Sequence, residues 1–462
     1  MNRLLARGAA LTAVLAGCFA PAQVWEKLLL PGLTYRMEAD RATPLVLHAI
    51  RFSPGSPWVS AKPDLGRKTI FSENSTGGRA TVSEMVRNTG AIGGVNADFF
   101  PFTGDPLGLM VRAGVLQSAP SRRAAFGWGA SWSGAAIASW TGRATLPNGE
   151  SVALDGFNEE IQGDRLCLNT SDAGLARARG AASIQLLKVL AGSWTASGEV
   201  VTEVLGQAPG PAAPIPDGGA ALVGAGSKAS AVSALKAGDK VSFRIRVEGF
   251  DWSKVEHAVG GGPFLVRNGR IAIDWANQGF NDRFALQRHP RTAIGRTRGG
   301  DVWFAAVDGR QAVSAGATLE EMARAMIRLG CVEAVNLDGG GSTTCNLFGL
   351  TLNRPSDGRE RPVANAVLFY RGERQEGSAP PTGREFKIQA PERMTVGEER
   401  KLKAFYLDGT QVPNTDVIWA CSGDAWIDQG GTLRPVKEGR AMIQAWVGER
   451  AMSAEILIQG AG

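Results

Sequence analysis

The chain has 462 residues, 44% hydrophobic and 20% charged, with a formal net charge of +6. That composition excludes a mainly disordered chain, and the length suffices for two or three domains with sizeable cores. Its 60 glycines follow no Gly-X-Y period, which excludes collagen and points to many turns and backbone-built sites. Lys and Arg are scattered rather than gathered in a stripe, so no nucleic-acid partner is implied.

Residues 1–22 read as an export signal. Arg3 and Arg7 precede an apolar run over 9–16, and Ala20-Pro21-Ala22 has the form of a cleavage site. Leu15-Ala16-Gly17-Cys18 equally has the form of a lipobox, and lipid on Cys18 would be the one route to a membrane. No later stretch is long and apolar enough for a membrane helix. The expected location is periplasmic, cell-surface or extracellular.

Residues 23–371 read as one large unit. The segment 372–385, GERQEGSAPPTGRE, is polar and carries Gly and Pro, as linkers do. From 386 to 462 short alternating strands recur between Gly turns, a pattern similar to a bacterial immunoglobulin-like sandwich. It carries no reactive constellation, so its expected role is a spacer or an adhesive for envelope glycan. Cys167, Cys331, Cys345 and Cys421 fit no metal-site spacing and are expected as buried apolar thiols, with one disulfide as the alternative.

The large unit contains a weak internal repeat. Thr81-Val-Ser-Glu84-Met85-Val-Arg87 matches Thr318-Leu-Glu-Glu321-Met322-Ala-Arg324, and each is a capping box opening a short helix. Each helix is predicted to end at a Gly, Gly90 or Gly330. Each is followed by a strand closing in Val-Asn-x-Asp, ending at Asp98 and Asp338.

The second copy supplies the main candidate site. Val302–Val307 reads as a strand, 319–329 as a helix and 332–337 as a second strand, which together make a βαβ unit. Asp308 and Asp338 then lie at the carboxyl ends of their strands, the edge where such sheets place ligands. Were the strands neighbours, the two carboxylates would lie close enough to split their pKa values and act as acid and base. Gly339-Gly340-Gly341-Ser342-Thr343 follows directly, a turn able to direct N–H groups at an anion. His289 and Arg291, in His-Pro-Arg-Thr, add a titratable ring and a guanidinium suited to phosphate. Gly261 and Gly262 lie in a second Gly-rich turn, and Asn96 and Asp98 supply an amide and a carboxylate. The resulting expectation is an α+β fold, a large mixed sheet with helices and a βαβ unit, followed by the small all-β module.

NADFF (96–100), VGGGPFLVRNGRI (259–271), HPRTAIG (289–295), VDGRQ (307–311), NLDGGGST (336–343) and PSDGRERPV (355–363) occur in that order. Together they resemble the phosphodiester glycosidase family over roughly residues 30–370. The resemblance implies hydrolysis of a sugar-1-phosphodiester, such as one of N-acetylglucosamine, and a phosphodiester-linked carbohydrate as substrate. It makes Asp338 and Asp308 the leading catalytic carboxylates. Asp98 ranks behind them, because the family pattern tolerates Gly in its place. Asn96 is expected on sugar hydroxyls. The diester falls to Arg291 and the Gly339–Thr343 turn, and His289, Arg310, Asn336, Gly261 and Gly262 complete the binding set. No cofactor is expected. A divalent ion on Asp98, Asp308 and Asp338 is the alternative, without diagnostic spacing.

Overall fold

The computed structural model describes residues 22–73, 76–372 and 383–460. The export-signal and Cys18 readings and most of the linker lie outside the described residues. Strands hold 50% of the residues and helices 9%, so the fold is mostly β, in several sheets, rather than the expected α+β arrangement around a mixed sheet. Tight Gly turns are the reason: they join successive strands as hairpins, which pair antiparallel.

Six elements position the site. Helix α1 (Val82–Thr89) leads into strand β1 (Gly93–Asn96). Strands β2 (Arg291–Thr297) and β3 (Val302–Val307) form a hairpin, helix α2 (Leu319–Arg328) crosses over, and β4 (Cys331–Asn336) follows. An eight-stranded sheet contains β2, β3 and β4, and a five-stranded sheet contains β1. Both capping boxes form. Gly90 takes φ 73° and Gly330 φ 85°, the left-handed conformation that ends a helix and favours glycine.

The two sheets enclose the main core. Ile50, Ile294, Phe304 and Val335 from one meet Val95, Leu347, Val367 and Phe369 from the other. Phe304 and Phe369 pack edge to face, centroids 5.2 Å apart. Each helix covers the outer face of its own sheet. Met322, Ala323 and Met326 of α2 lie on Ala293, Trp303 and Ala305, while Val82, Met85 and Val86 of α1 lie on Ala366 and Leu368. The repeat in the sequence is thus a repeat in space, helix–sheet facing sheet–helix.

The strand–helix–strand unit differs from expectation in one respect. β3 and β4 are mutually parallel but do not pair, because β2 lies between them and pairs antiparallel with both. Two strand spacings, roughly 10 Å, therefore separate the strands that end at Asp308 and Asp338.

The described residues after 383 are all β and have their own core around Trp419, Leu433 and Ile443. They also pack on the large unit. Ile418, Ala420 and Trp426 join the central core, and Phe348 stacks on Trp446 with centroids 4.8 Å apart. Lys27 is buried here and donates to the carbonyls of Asn414, at 2.9 Å, and Val417. Burial lowers its pKa to about 7, against the charges of Asp416 and Asp428. All four described cysteines are free thiols.

Candidate active site

The two Val-Asn-x-Asp segments meet where their strands leave the facing sheets. Asp338 N–H donates to Ala97 O at 2.9 Å, and Asn96 Nδ2 donates to Asp338 O at 2.7 Å. Asn96 Oδ1 accepts from Thr292 Oγ1 at 2.9 Å and from Thr344 N–H at 3.0 Å. Asn96 is therefore a buried bolt between the halves rather than the expected ligand of sugar hydroxyls.

Asp98 and Asp338 form the carboxyl pair that the sequence reading assigned to Asp308 and Asp338. Asp98 Oδ1 accepts from Phe99 N–H at 2.8 Å, and Oδ2 from Gly108 N–H at 2.6 Å. A Cβ at Gly260 would lie 2.5 Å from Asp98 Oδ2, and one at Gly108 2.7 Å, so both glycines are required by close approach. Burial pushes the Asp98 pKa up to about 7. The two N–H bonds and Arg123 oppose that rise, and the charge of Asp338 adds to it. Burial likewise pushes Asp338 up to about 6, against the Ser342 hydroxyl, the Gly339 N–H and the charge of Arg361. Near neutral pH Asp98 is therefore partly protonated while Asp338 is mostly ionised.

Asp308 lies elsewhere. It is 1% exposed, its Oδ1 accepts from Arg354 N–H at 2.8 Å, and its Oδ2 is 3.6 Å from His48 Nε2. It anchors the start of the loop 354–361, and the intervening β2 keeps it from the pair. Asp98, Asp308 and Asp338 consequently do not converge. Among the described residues no group of three His, Cys, Asp or Glu side chains is placed to hold a metal ion.

The anion-binding expectations also change. Arg291 is 1% exposed and donates to three carbonyls: Ala317 O at 2.9 Å, Gln287 O at 3.1 Å, and Phe284 O. Burial, then the charge of Arg310, lowers its pKa to about 10. It ties the segment 284–287 to β2 and is not presented to a ligand. The glycine turn is largely self-satisfied as well. The amides of Gly339, Gly340, Ser342 and Thr343 donate to Asp338 Oδ1, Pro290 O, Gly339 O and Gly340 O. Thr343 is buried, its hydroxyl 3.3 Å from that of Thr292. Asn336 donates to Gly262 O and Leu337 O, and a Cβ at Gly261 would strike Asn336 O, so Asn336, Gly261 and Gly262 are one packed junction.

Charge around the pair comes from other side chains. Arg310 takes φ 61°, an uncommon conformation for a non-glycine residue. Its Nη2 lies 3.4 Å from His289 Nδ1 and 3.3 Å from where a Gly340 Cβ would be. Arg361 pairs with Asp357 through Nε and Nη2 at 3.0 and 2.7 Å. A Cβ at Gly341 would fall on both of these side chains, so a larger residue there would displace this ion pair. Arg123 lies over Phe280, 4.6 Å from the ring centroid. The site thus brings together Asp98, Asp338, Gly339–Ser342, Arg310 and His289. It leaves Asp308, Arg291, Asn96, Asn336, Thr343, Gly261 and Gly262 as its supports. The sequence reading missed Arg123, Arg361 and Gly108. Arg361 had a signal, since it belongs to PSDGRERPV; Arg123 and Gly108 had none.

Residues 194–370 match the family model described as phosphodiester glycosidase. The match includes Asp338, Arg310 and Arg361 but not Asp98. Over 82 residues the chain is 40% identical to the SPbeta prophage-derived uncharacterized protein YomE of Bacillus subtilis, covering 18% of this chain and 13% of that protein. Over 103 residues it is 38% identical to the N-acetylglucosamine-1-phosphodiester alpha-N-acetylglucosaminidase of Bos taurus, covering 20% and 19%. The chain therefore spans less than a fifth of the length of either curated relative. A hypothetical protein from Synechocystis shares the fold, with a TM-score of 0.63 and 24% identity over 76% of this chain and 64% of that one.

Proposed function

From the phosphodiester glycosidase match over residues 194–370, we propose that this protein hydrolyses glycosyl phosphodiesters, breaking the bond between the sugar C1 and the phosphate oxygen. The observation that carries this reading is the buried Asp98 beside the half-buried Asp338, with Arg123 and Arg361 acting on them and Arg310 beside Gly340. The ionised carboxylate of the pair stabilises positive charge developing at C1 or activates water, and its protonated partner supplies or relays a proton. The products are a free sugar and a phosphomonoester. Phosphate is already a good leaving group, so the guanidiniums do more than the acid: they hold its charge as the bond lengthens. We place the protein outside the cytoplasm on the strength of the signal pattern in residues 1–22, acting on envelope or exopolysaccharide material.

The test compares a methyl N-acetylglucosaminyl phosphate diester with a p-nitrophenyl N-acetylglucosaminide. Turnover of the diester is expected, with a kcat/KM at least about 100-fold higher than for the plain glycoside, as loss of a main electrostatic contact would give. Turnover of the plain glycoside alone would refute the diester reading.

A further inference from the structure

The loop after Asp98 carries an exposed aromatic residue that the pair itself does not use. Phe102 is 87% exposed, and it projects from a loop closed by the Leu107 N–H to Phe99 O bond of 2.9 Å. Arg79 faces it, 5.7 Å from the Phe102 centroid and 5.8 Å from that of Phe100. The two loops touch, since a Cβ at Gly104 would lie on Gly77 O and 3.4 Å from Arg79 Cγ. Arg79 Nε donates to Thr76 O at 2.9 Å, and among the described residues no carboxylate forms an ion pair with Arg79. Its pKa is lowered, by burial and then by the charge of Arg361. Arg361 already holds Asp357, which leaves Arg79 as the guanidinium of the two without a carboxylate. Behind Arg361 opens a cavity of about 630 Å³. Arg67, Arg87 and Arg359 line it together with Glu84, Asp357 and Glu360, and neither Phe102 nor Arg79 is part of its wall.

Resting on the hydrolytic reading above, we propose that Phe102 and Arg79 form a subsite for an acidic sugar residue of the substrate. The ring's C–H face lies on Phe102 and its anionic group is held by Arg79. An aromatic face offers a pyranose an apolar contact, and a guanidinium offers an anion two aligned donors. Arg361 lies between this subsite and the carboxylates, since its charge acts on both Arg79 and Asp338.

The experiment uses the full chain and three N-acetylglucosamine-1-phosphodiesters, whose second alcohol is methyl glucoside, methyl glucuronide or methyl glucoside 6-phosphate. Wild type is expected to prefer one or both acidic diesters by about tenfold in kcat/KM, and the favoured one identifies carboxylate or phosphate. Phe102→Ala and Arg79→Gln are each expected to lower the acidic-substrate value about tenfold and the methyl glucoside value less than threefold. Equal use of all three substrates, or equal losses on all three in both variants, would overturn the subsite. If wild type cleaves none of them, the hydrolytic reading fails separately. Calorimetric titration with a galacturonate trisaccharide then decides the subsite: about tenfold weaker binding in both variants supports it, and wild-type affinity in both removes it.

Discussion

Asp338→Asn and Asp98→Asn are each expected to lower kcat on a glycosyl phosphodiester by about 10²–10⁴-fold, the range that a positioned acid or base contributes. Asn keeps the size of the side chain and removes the proton chemistry. Asp98→Asn carries a second expected effect, of opposite sign, on stability. Asp98 has its pKa raised from 3.8 unfolded to about 7 folded. A carboxyl raised on folding supports the fold fully below about pH 4, and that support is lost as pH climbs through about 7. At pH 8 the ionised form therefore costs at most roughly 4 kcal/mol. Asn cannot accept both N–H bonds, from Phe99 and Gly108, and one unsatisfied amide costs about 1–3 kcal/mol. Urea unfolding should then show a net gain of about 1–2 kcal/mol at pH 8, shrinking toward pH 5. Retained turnover in either variant would strip that residue of its role, and a loss of stability at pH 8 would contradict the burial argument.

Arg291→Ala is expected to destabilise the protein by about 2–4 kcal/mol, because it deprives one buried and two part-buried carbonyls of their donor. Arg291→Lys should recover less than half, since one ammonium cannot reproduce the guanidinium's spread of donors. Diester KM, measured well below the variant's unfolding temperature, should shift less than about threefold. A large rise in KM with unchanged stability would return Arg291 to the anion site and require a rotamer that releases the three carbonyls.

The contrast between Arg291 and Arg361 shows where the sequence could be read and where it could not. The repeat was legible, because capping boxes and the Val-Asn-x-Asp ends recur in register, and it does bring Asp98 to Asp338. Pairing order was not legible. Val302–Val307 and the strand ending at Asn336 look like neighbours along the chain, yet β2 precedes both and inserts between them. That insertion exchanged Asp308 for Asp98 as the partner of Asp338. The direction of a side chain was likewise hidden. An Arg in His-Pro-Arg-Thr has the right chemistry for phosphate, but its neighbours Phe284, Gln287 and Ala317 present carbonyls that only the fold brings to it. The Gly339–Thr343 turn reads as an open anion nest in the sequence, yet its third glycine leaves room for Arg361 and Asp357, while Gly260 and Gly108 let backbone approach a carboxylate. The C-terminal strands were legible, but their packing on the large unit through Trp426 and Trp446 was not, since exposed faces carry no signal of what covers them.

The most direct measurement is the fate of solvent oxygen during hydrolysis of an N-acetylglucosamine-1-phosphodiester in ¹⁸O water, read by mass spectrometry of both products. Attack at C1 beside Asp98 and Asp338 is expected to leave the label in the sugar and none in the phosphomonoester. Label in the phosphate would mean that the P–O bond breaks, and the assignment of this carboxyl pair to glycosidic chemistry would be wrong.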